Sequence, residues 1–191
     1  MSRADLLALD DEALVALANR GLVKRSRKEV DRGEGPKVEL VDGTLKAVFD
    51  DGVHCELAPG VALQEAPCSC AASRLCRHRL AAVMAFRATA GDDVEVAKGR
   101  PLLEVDDALL ESRLGPRAVA SARRQLKQGL TADVRLGEAC EVLLPTCTVR
   151  FLVPWDLAHV RCDCTQRVDC PHVALAVWAL RDVPDVQVDG E

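Results

Sequence analysis

Two strings of cysteine and histidine in this sequence have the spacing of metal ligands. Cys68, Cys70, Cys76 and His78 read C-x-C-x5-C-x-H, and Cys162, Cys164, Cys170 and His172 read the same. Three thiolates and an imidazole complete a tetrahedral set for a d10 ion that imposes no geometry of its own, with bonds of about 2.3 Å to sulfur and about 2.0 to 2.1 Å to nitrogen. The expected cofactor is therefore zinc, one ion per string. Four protein ligands leave no position for a water, which makes each site structural rather than catalytic. Reduced core cysteines, disulfides and an iron–sulfur cluster are the competing readings. One such string arises by accident easily, but a second inside a diverged repeat is hard to explain unless the ligands constrain both.

The elements that must position these ligands are themselves repeated. Shifting the chain by 94 residues lays CSCAASRLCRHRLAAVMAF, from Cys68, over CDCTQRVDCPHVALAVWAL, from Cys162. With small slips the match extends upstream through VHCEL and TVRF, VKRSRKEVDRG and VASARRQLKQG, and DDEAL and DDALL. The predicted domains are residues 1–91 and 102–191, joined by a linker at 92–101.

Each copy reads as α+β. Asp10 and Asp106 suit helix N-caps, and Gly21 and Gly115 sit where a left-handed cap would close a short first helix. A second helix is predicted over Leu22–Arg32 and Pro116–Gln128, stopped by Gly33 and Gly129. Short runs with strand character follow: KVELV, TLKAVFD and VHCEL in the first copy, ADVRL, CEVLLP and CTVRFLV in the second. Turn residues such as Asp42-Gly43 and Asp51-Gly52 separate them, so a small antiparallel sheet is expected. Each copy closes with an apolar helix stapled by its zinc, about Arg77–Ala90 and His172–Arg181.

Composition narrows the function classes. At 49% hydrophobic and 29% charged, the chain belongs with globular proteins rather than disordered ones. Nothing approaches the roughly 18 apolar residues of a membrane span, and the acidic N-terminus is unlike a signal peptide, so a cytoplasmic location is expected. Nine cysteines in a reducing compartment point to metal ligation. Cys55, Cys140 and Cys147 lie in strand-like runs and read as core, and His54 and His159 lack partners at ligand spacing. A net charge of -5 gives the whole chain no nucleic-acid footprint, and five aromatic residues make poor stacking platforms.

The two strings and the segments before them resemble the SWIM zinc-finger family, defined by C-x-C, a short spacer and C-x-H. The likeness covers about residues 10–90 and 106–181. It implies one zinc on Cys68, Cys70, Cys76 and His78 and another on Cys162, Cys164, Cys170 and His172. The five-residue spacer is short for the family, and the aromatic residues common in its preceding helix are missing. Members of the family are implied to bind DNA or proteins, some beside Swi/Snf-type helicases, transposases or MoxR-type ATPases.

Two partner classes follow. DNA or RNA binding rests on local basic charge: Lys24, Arg25, Arg27 and Lys28 on one predicted helix, Arg123, Arg124 and Lys127 on its counterpart, and Arg77 and Arg79 beside the first finger. Arg161 and Arg167 near the second finger are offset by Asp163 and Asp169. The alternative is a protein-interaction scaffold within an ATPase- or helicase-associated assembly. No phosphate loop, H-E-x-x-H, nucleophile elbow or convergent carboxylate pair is visible, so neither catalysis nor a small-molecule substrate is expected. The C-terminal VPDVQVDGE has no clear stop and leaves room for more sequence.

Overall fold

A computed structural model describes residues 3–90, 105–137, 139–153, 156–166 and 169–182. The predicted linker at 92–101 lies outside them. The chain divides into two compact units, Met1–Ala97 and Lys98–Glu191.

The first unit runs α1 (Ala4–Leu7), α2 (Asp11–Leu17), α3 (Arg20–Asp31), β1 (Lys37–Val41), β2 (Thr44–Val48), β3 (His54–Leu57) and α4 (Arg77–Ala90). Asp10 caps α2 as expected, its carboxylate accepting the Ala13 N–H at 2.7 Å. Gly21 does not close that helix. Asn19 Oδ1 accepts the Leu22 N–H at 2.9 Å and starts α3 at Arg20, so Gly21 falls inside the first turn of the next helix. Gly33, with φ of +77°, does follow the end of α3, in the left-handed region that costs a glycine little. β1, β2 and β3 form an antiparallel sheet in that order, Val41 pairing with Thr44 across the Asp42-Gly43 turn. Both turn residues have positive φ, the requirement of a two-residue hairpin whose twist matches its strands.

The second unit runs α5 (Asp107–Leu114), α6 (Pro116–Lys127), β4 (Asp133–Leu136), β5 (Cys140–Leu144), β6 (Cys147–Phe151), a 3-10 turn (Leu157–His159), β7 (Val160–Cys162) and α7 (Pro171–Asp182). Here Gly115 does mark the boundary between two helices, because its φ of +83° turns the chain and Pro116 takes the first helical position, where no N–H is needed. The sheet is antiparallel in the order β4-β5-β6-β7. β7 is an addition to the three strands expected. Three residues are too few to show alternation in sequence, and pairing with β6 supplies the strand. Its counterpart in the first unit is a single bridge between Cys55 and Cys68.

The last helix of each unit is apolar nearly all round because it is covered nearly all round. In α4, Leu80 through Ala85 are all buried, and the helix packs on α1, α3, β1 and β3. In α7, Val173 through Trp178 and Leu180 are buried against α5, α6, β5, β6 and β7. Inward residues of the strands complete each core, Leu45, Ala47 and Leu57 in one unit and Val142, Val149 and Phe151 in the other. Each large apolar side chain withdrawn from water contributes about 1.5 to 3 kcal/mol. Val83, Met84, Val177 and Trp178 are thus core residues.

Trp178 is also tied at its polar edge. Asp107 accepts its Nε1–H at 3.0 Å and pairs with Arg123 and Arg181, each at 3.0 Å. Those three hydrogen bonds, Trp178 foremost, hold the Asp107 carboxyl down at about 2. The carboxylate is 41% exposed, so water screens the ion pairs and the hydrogen bonds decide its worth. Asp107→Ala should lower the stability of the second unit by about 1 to 2 kcal/mol. Trp155 and Trp178 both lie in that unit, so the midpoint of denaturant unfolding followed by tryptophan emission reads it, and an unchanged midpoint contradicts the assignment.

Candidate metal centres

Each ligand set is assembled where the last pairing of the sheet meets the start of the apolar helix. In the first unit, the segment after β3 returns antiparallel to it: the Glu56 N–H donates to Pro67 O at 3.0 Å and the Ser69 N–H to His54 O at 2.9 Å. The Ser69 hydroxyl accepts the His54 N–H at 3.0 Å. Cys68 and Cys70 are thereby held against the sheet, while Cys76 and His78 sit at the beginning of α4. In the second unit Cys162 ends β7, with the Asp163 N–H donating to Thr148 O at 3.1 Å and the Asp163 carboxylate accepting the Thr148 N–H at 2.8 Å. Asp169, at φ of +52°, turns the chain into Cys170, and His172 follows in the first turn of α7.

All eight predicted ligands converge, four and four. Within each set the donor atoms lie within 4.8 Å of one another. Cys68 Sγ is 3.4 Å from Cys70 Sγ and 3.8 Å from Cys76 Sγ, and His172 Nδ1 is 3.8 Å from Cys162 Sγ. Three sulfurs and a nitrogen so gathered fit a tandem zinc-binding motif. The buried His78 ring supports the fit: neither of its nitrogens has a hydrogen-bond partner among the described residues, a costly state that a metal ion relieves. Its face is fixed by Phe49, edge-on at 4.8 Å, and its Nε2 lies 3.6 Å from Asp51 Oδ2, the outer carboxylate that orients ligating histidines.

The thiols share charge as a ligand set should. Burial pushes Cys70 up, but the Ala72 N–H, the nearby His78 ring and the neighbouring cysteines outweigh it and bring the thiol to about 6. Cys170, hydrogen-bonded chiefly to Cys162, falls to about 5 despite its burial. The same bond raises Cys162, and burial raises Cys76 to about 11. One sulfur in each set is thereby held toward the thiolate, the form that can ligate a metal.

Arg79 is part of the first centre's frame. It is 8% exposed, its Nε donates to Ala66 O at 2.7 Å and its Nη1 to Arg74 O at 3.0 Å, pinning the ligand loop from both sides. The other basic residues singled out from the sequence are spread over helix surfaces. Arg25 pairs with Glu29, Arg27 with Asp11, Arg77 with Glu29 and Asp51, and Arg123 with Asp107 and Glu111. Lys24, Lys28, Arg124 and Lys127 are exposed and make no ion pair among the described residues. Arg167 lies outside the described residues.

Sequence reasoning placed Cys55, Cys140 and Cys147 in the core, and all three are buried. Two of them also touch a ligand set. Cys55 Sγ is 3.0 Å from Cys68 Sγ, and Cys147 joins Cys162 and Asp163 in a third group of donors. Strand register alone reveals this. His159 is buried against Asp156 at 3.1 Å, and His54 is exposed. No helix among the described residues is long and apolar enough to cross a membrane.

Fold and site together define a two-unit α+β protein with a metal-ligand cluster of the Cys3His type in each unit. The chain is 35% identical over 192 aligned residues to Protein YehQ of Escherichia coli (strain K12), an alignment that takes in 98% of this chain and 31% of that protein. It therefore spans about a third of that relative's length. No family model matches the sequence, and no solved structure matches it.

Cys68→Ser and Cys162→Ser should each halve the bound metal and expose only their own unit to proteolysis. The tryptophan emission should change in Cys162→Ser and stay native in Cys68→Ser, and either variant that retains full metal content and full protection refutes the assignment. Arg79→Ala leaves the buried Ala66 carbonyl unpaired, at about 1 to 3 kcal/mol, releases the Arg74 carbonyl, and should speed metal loss from the first unit to a chelator. A rate equal to that of the parent chain counts against the bracing role.

Proposed function

We propose that this chain is a non-catalytic, tandem SWIM-type zinc module, part of a longer protein, that serves as an interaction scaffold. Zinc is the ion that three sulfurs and one nitrogen suit best, and four protein donors leave no position at which a substrate or water would be activated. The C-x-C-x5-C-x-H spacing, repeated in register, supports the SWIM reading, and the 31% share of the bacterial relative supports a longer whole.

The observation that carries the choice of partner is the fate of the arginines. Of those counted as phosphate ligands, Arg25, Arg27, Arg77 and Arg123 face carboxylates of their own unit and Arg79 is buried. Guanidinium groups already paired contribute little counterion release on DNA. Protein partners of the ATPase or helicase class fit a module with this acidic balance. Nucleic acid is the second reading, favoured by the exposed Lys24 and Lys28 on α3 and Arg124 and Lys127 on α6, of which Lys28 and Arg124 hold equivalent places in the two units.

A titration of the chain with mixed-sequence duplex DNA at two salt concentrations separates the two. The scaffold reading expects binding weaker than about 10 μM near physiological salt, unchanged in a Lys24→Glu, Lys28→Glu variant. Tighter binding that falls steeply with salt and is lost in that variant replaces it with the nucleic-acid reading.

A further inference from the structure

The first metal centre has a fifth sulfur that the ligand set does not need. Cys55, on β3, is 1% exposed, and its Sγ lies 3.0 Å from that of Cys68. The two residues are directly opposed. The flanking Glu56-to-Pro67 and Ser69-to-His54 hydrogen bonds make them a non-hydrogen-bonded antiparallel pair, whose Cα atoms stand about 4.5 Å apart with their side chains close. That is within the about 4.4 to 6.8 Å that a disulfide spans.

The second unit lacks this arrangement at the equivalent place. Val149 is the residue opposite Cys162, and Cys147 is two residues earlier on β6. A diagonal pair has its Cα atoms about 7 to 8 Å apart, beyond the reach of a disulfide without backbone movement. Both centres have a fifth sulfur at hand, Cys147 lying within 4.8 Å of Cys162, and they differ in its placement, directly opposed in the first unit and diagonal in the second.

We propose that Cys55 is the resolving thiol of an oxidative modification site, forming a disulfide with Cys68 in response to a hydroperoxide and thereby dismantling the first metal centre while sparing the second. The proposal rests on the zinc reading above. Cys68 is partly exposed and takes the first step. Its thiolate attacks one peroxide oxygen, the O–O bond breaks, hydroxide leaves and is protonated to water, and Cys68 becomes a sulfenic acid. The Cys55 sulfur then attacks the Cys68 sulfur, the S–O bond breaks, and the departing hydroxide takes the Cys55 proton and leaves as a second water. Two thiol sulfurs have been oxidised by two electrons and one peroxide reduced to two waters. Cys68 can no longer ligate, and three donors remain. Cys55 needs no access to the oxidant for this role, since it reacts only with its neighbour.

The test treats the metal-loaded chain with hydrogen peroxide, follows released zinc with a chromogenic chelator, and maps disulfides by mass spectrometry after alkylation of free thiols. The expected result is loss of one of two bound zincs with a Cys55–Cys68 bridge, reversed by dithiothreitol and added zinc. Cys55→Val copies the residue the second unit carries at that place, so it should fold, and under the same exposure it should lose the first zinc more slowly, because the sulfenic acid at Cys68 has lost its opposed thiol. A bridge confined to Cys68, Cys70 and Cys76 with Cys55 alkylated, or equal zinc loss in Cys55→Val, overturns the proposal. Zinc content before oxidant tests the zinc reading by itself. If that is nil, the mapped bridge still decides whether Cys55 and Cys68 are a redox pair.

Discussion

Four donors from two separate stretches of chain must meet at one seam, where the sheet ends and the apolar helix begins, and the rest of each unit is arranged around that meeting. The C-x-C pair is delivered by antiparallel pairing, the C-x-H pair by the first turn of a helix. Neither stretch has enough regular structure of its own to hold a loop in place. The sheet fixes one half through Ser69 and Asp163, and burial of α4 or α7 fixes the other. Units of under 100 residues bury only about 60 to 70% of their chain's surface, so a metal at that seam adds what a small core lacks.

The two units reach the same seam with different supports. In the first, a buried arginine clasps the ligand loop and Asp51 stands behind the histidine. In the second, a full strand replaces the single bridge, and Asp163 anchors the turn to Thr148. A repeat can diverge in this way because the requirement is on the ligands' positions and not on what holds them. The supports are also where the units differ in chemistry. Cys55 faces Cys68 directly, whereas the corresponding residue is Val149, leaving the fifth sulfur of the second unit out of line.

Charge shows the gap between a composition and a surface. The basic helices α3 and α6 look alike as strings, yet their arginines turn to carboxylates on neighbouring helices, Arg27 to Asp11 and Arg123 to Asp107. The pairs occupy matching places in the two units and join α3 to α2 in one and α6 to α5 in the other. What the sequence shows as a positive patch is in good part an internal clasp, and Arg124 and the lysines of these helices face water without an ion pair among the described residues.

The eight ligands, the two-unit layout, the α+β class and the apolar closing helices could be read from the chain itself, because each is a matter of local spacing or period. Hairpin turns, helix caps and ligand strings are set by residues only a few positions apart, and the repeat doubled every such signal. Where two local signals competed, as at Asn19 and Gly21, the stronger cap decided and the reading missed it. The short strand β7, the pairing of Cys55 with Cys68 and the engagement of the arginines were beyond reach. They depend on register and on contacts between residues a dozen or more positions apart, and such contacts exist only once packing has fixed which faces turn inward.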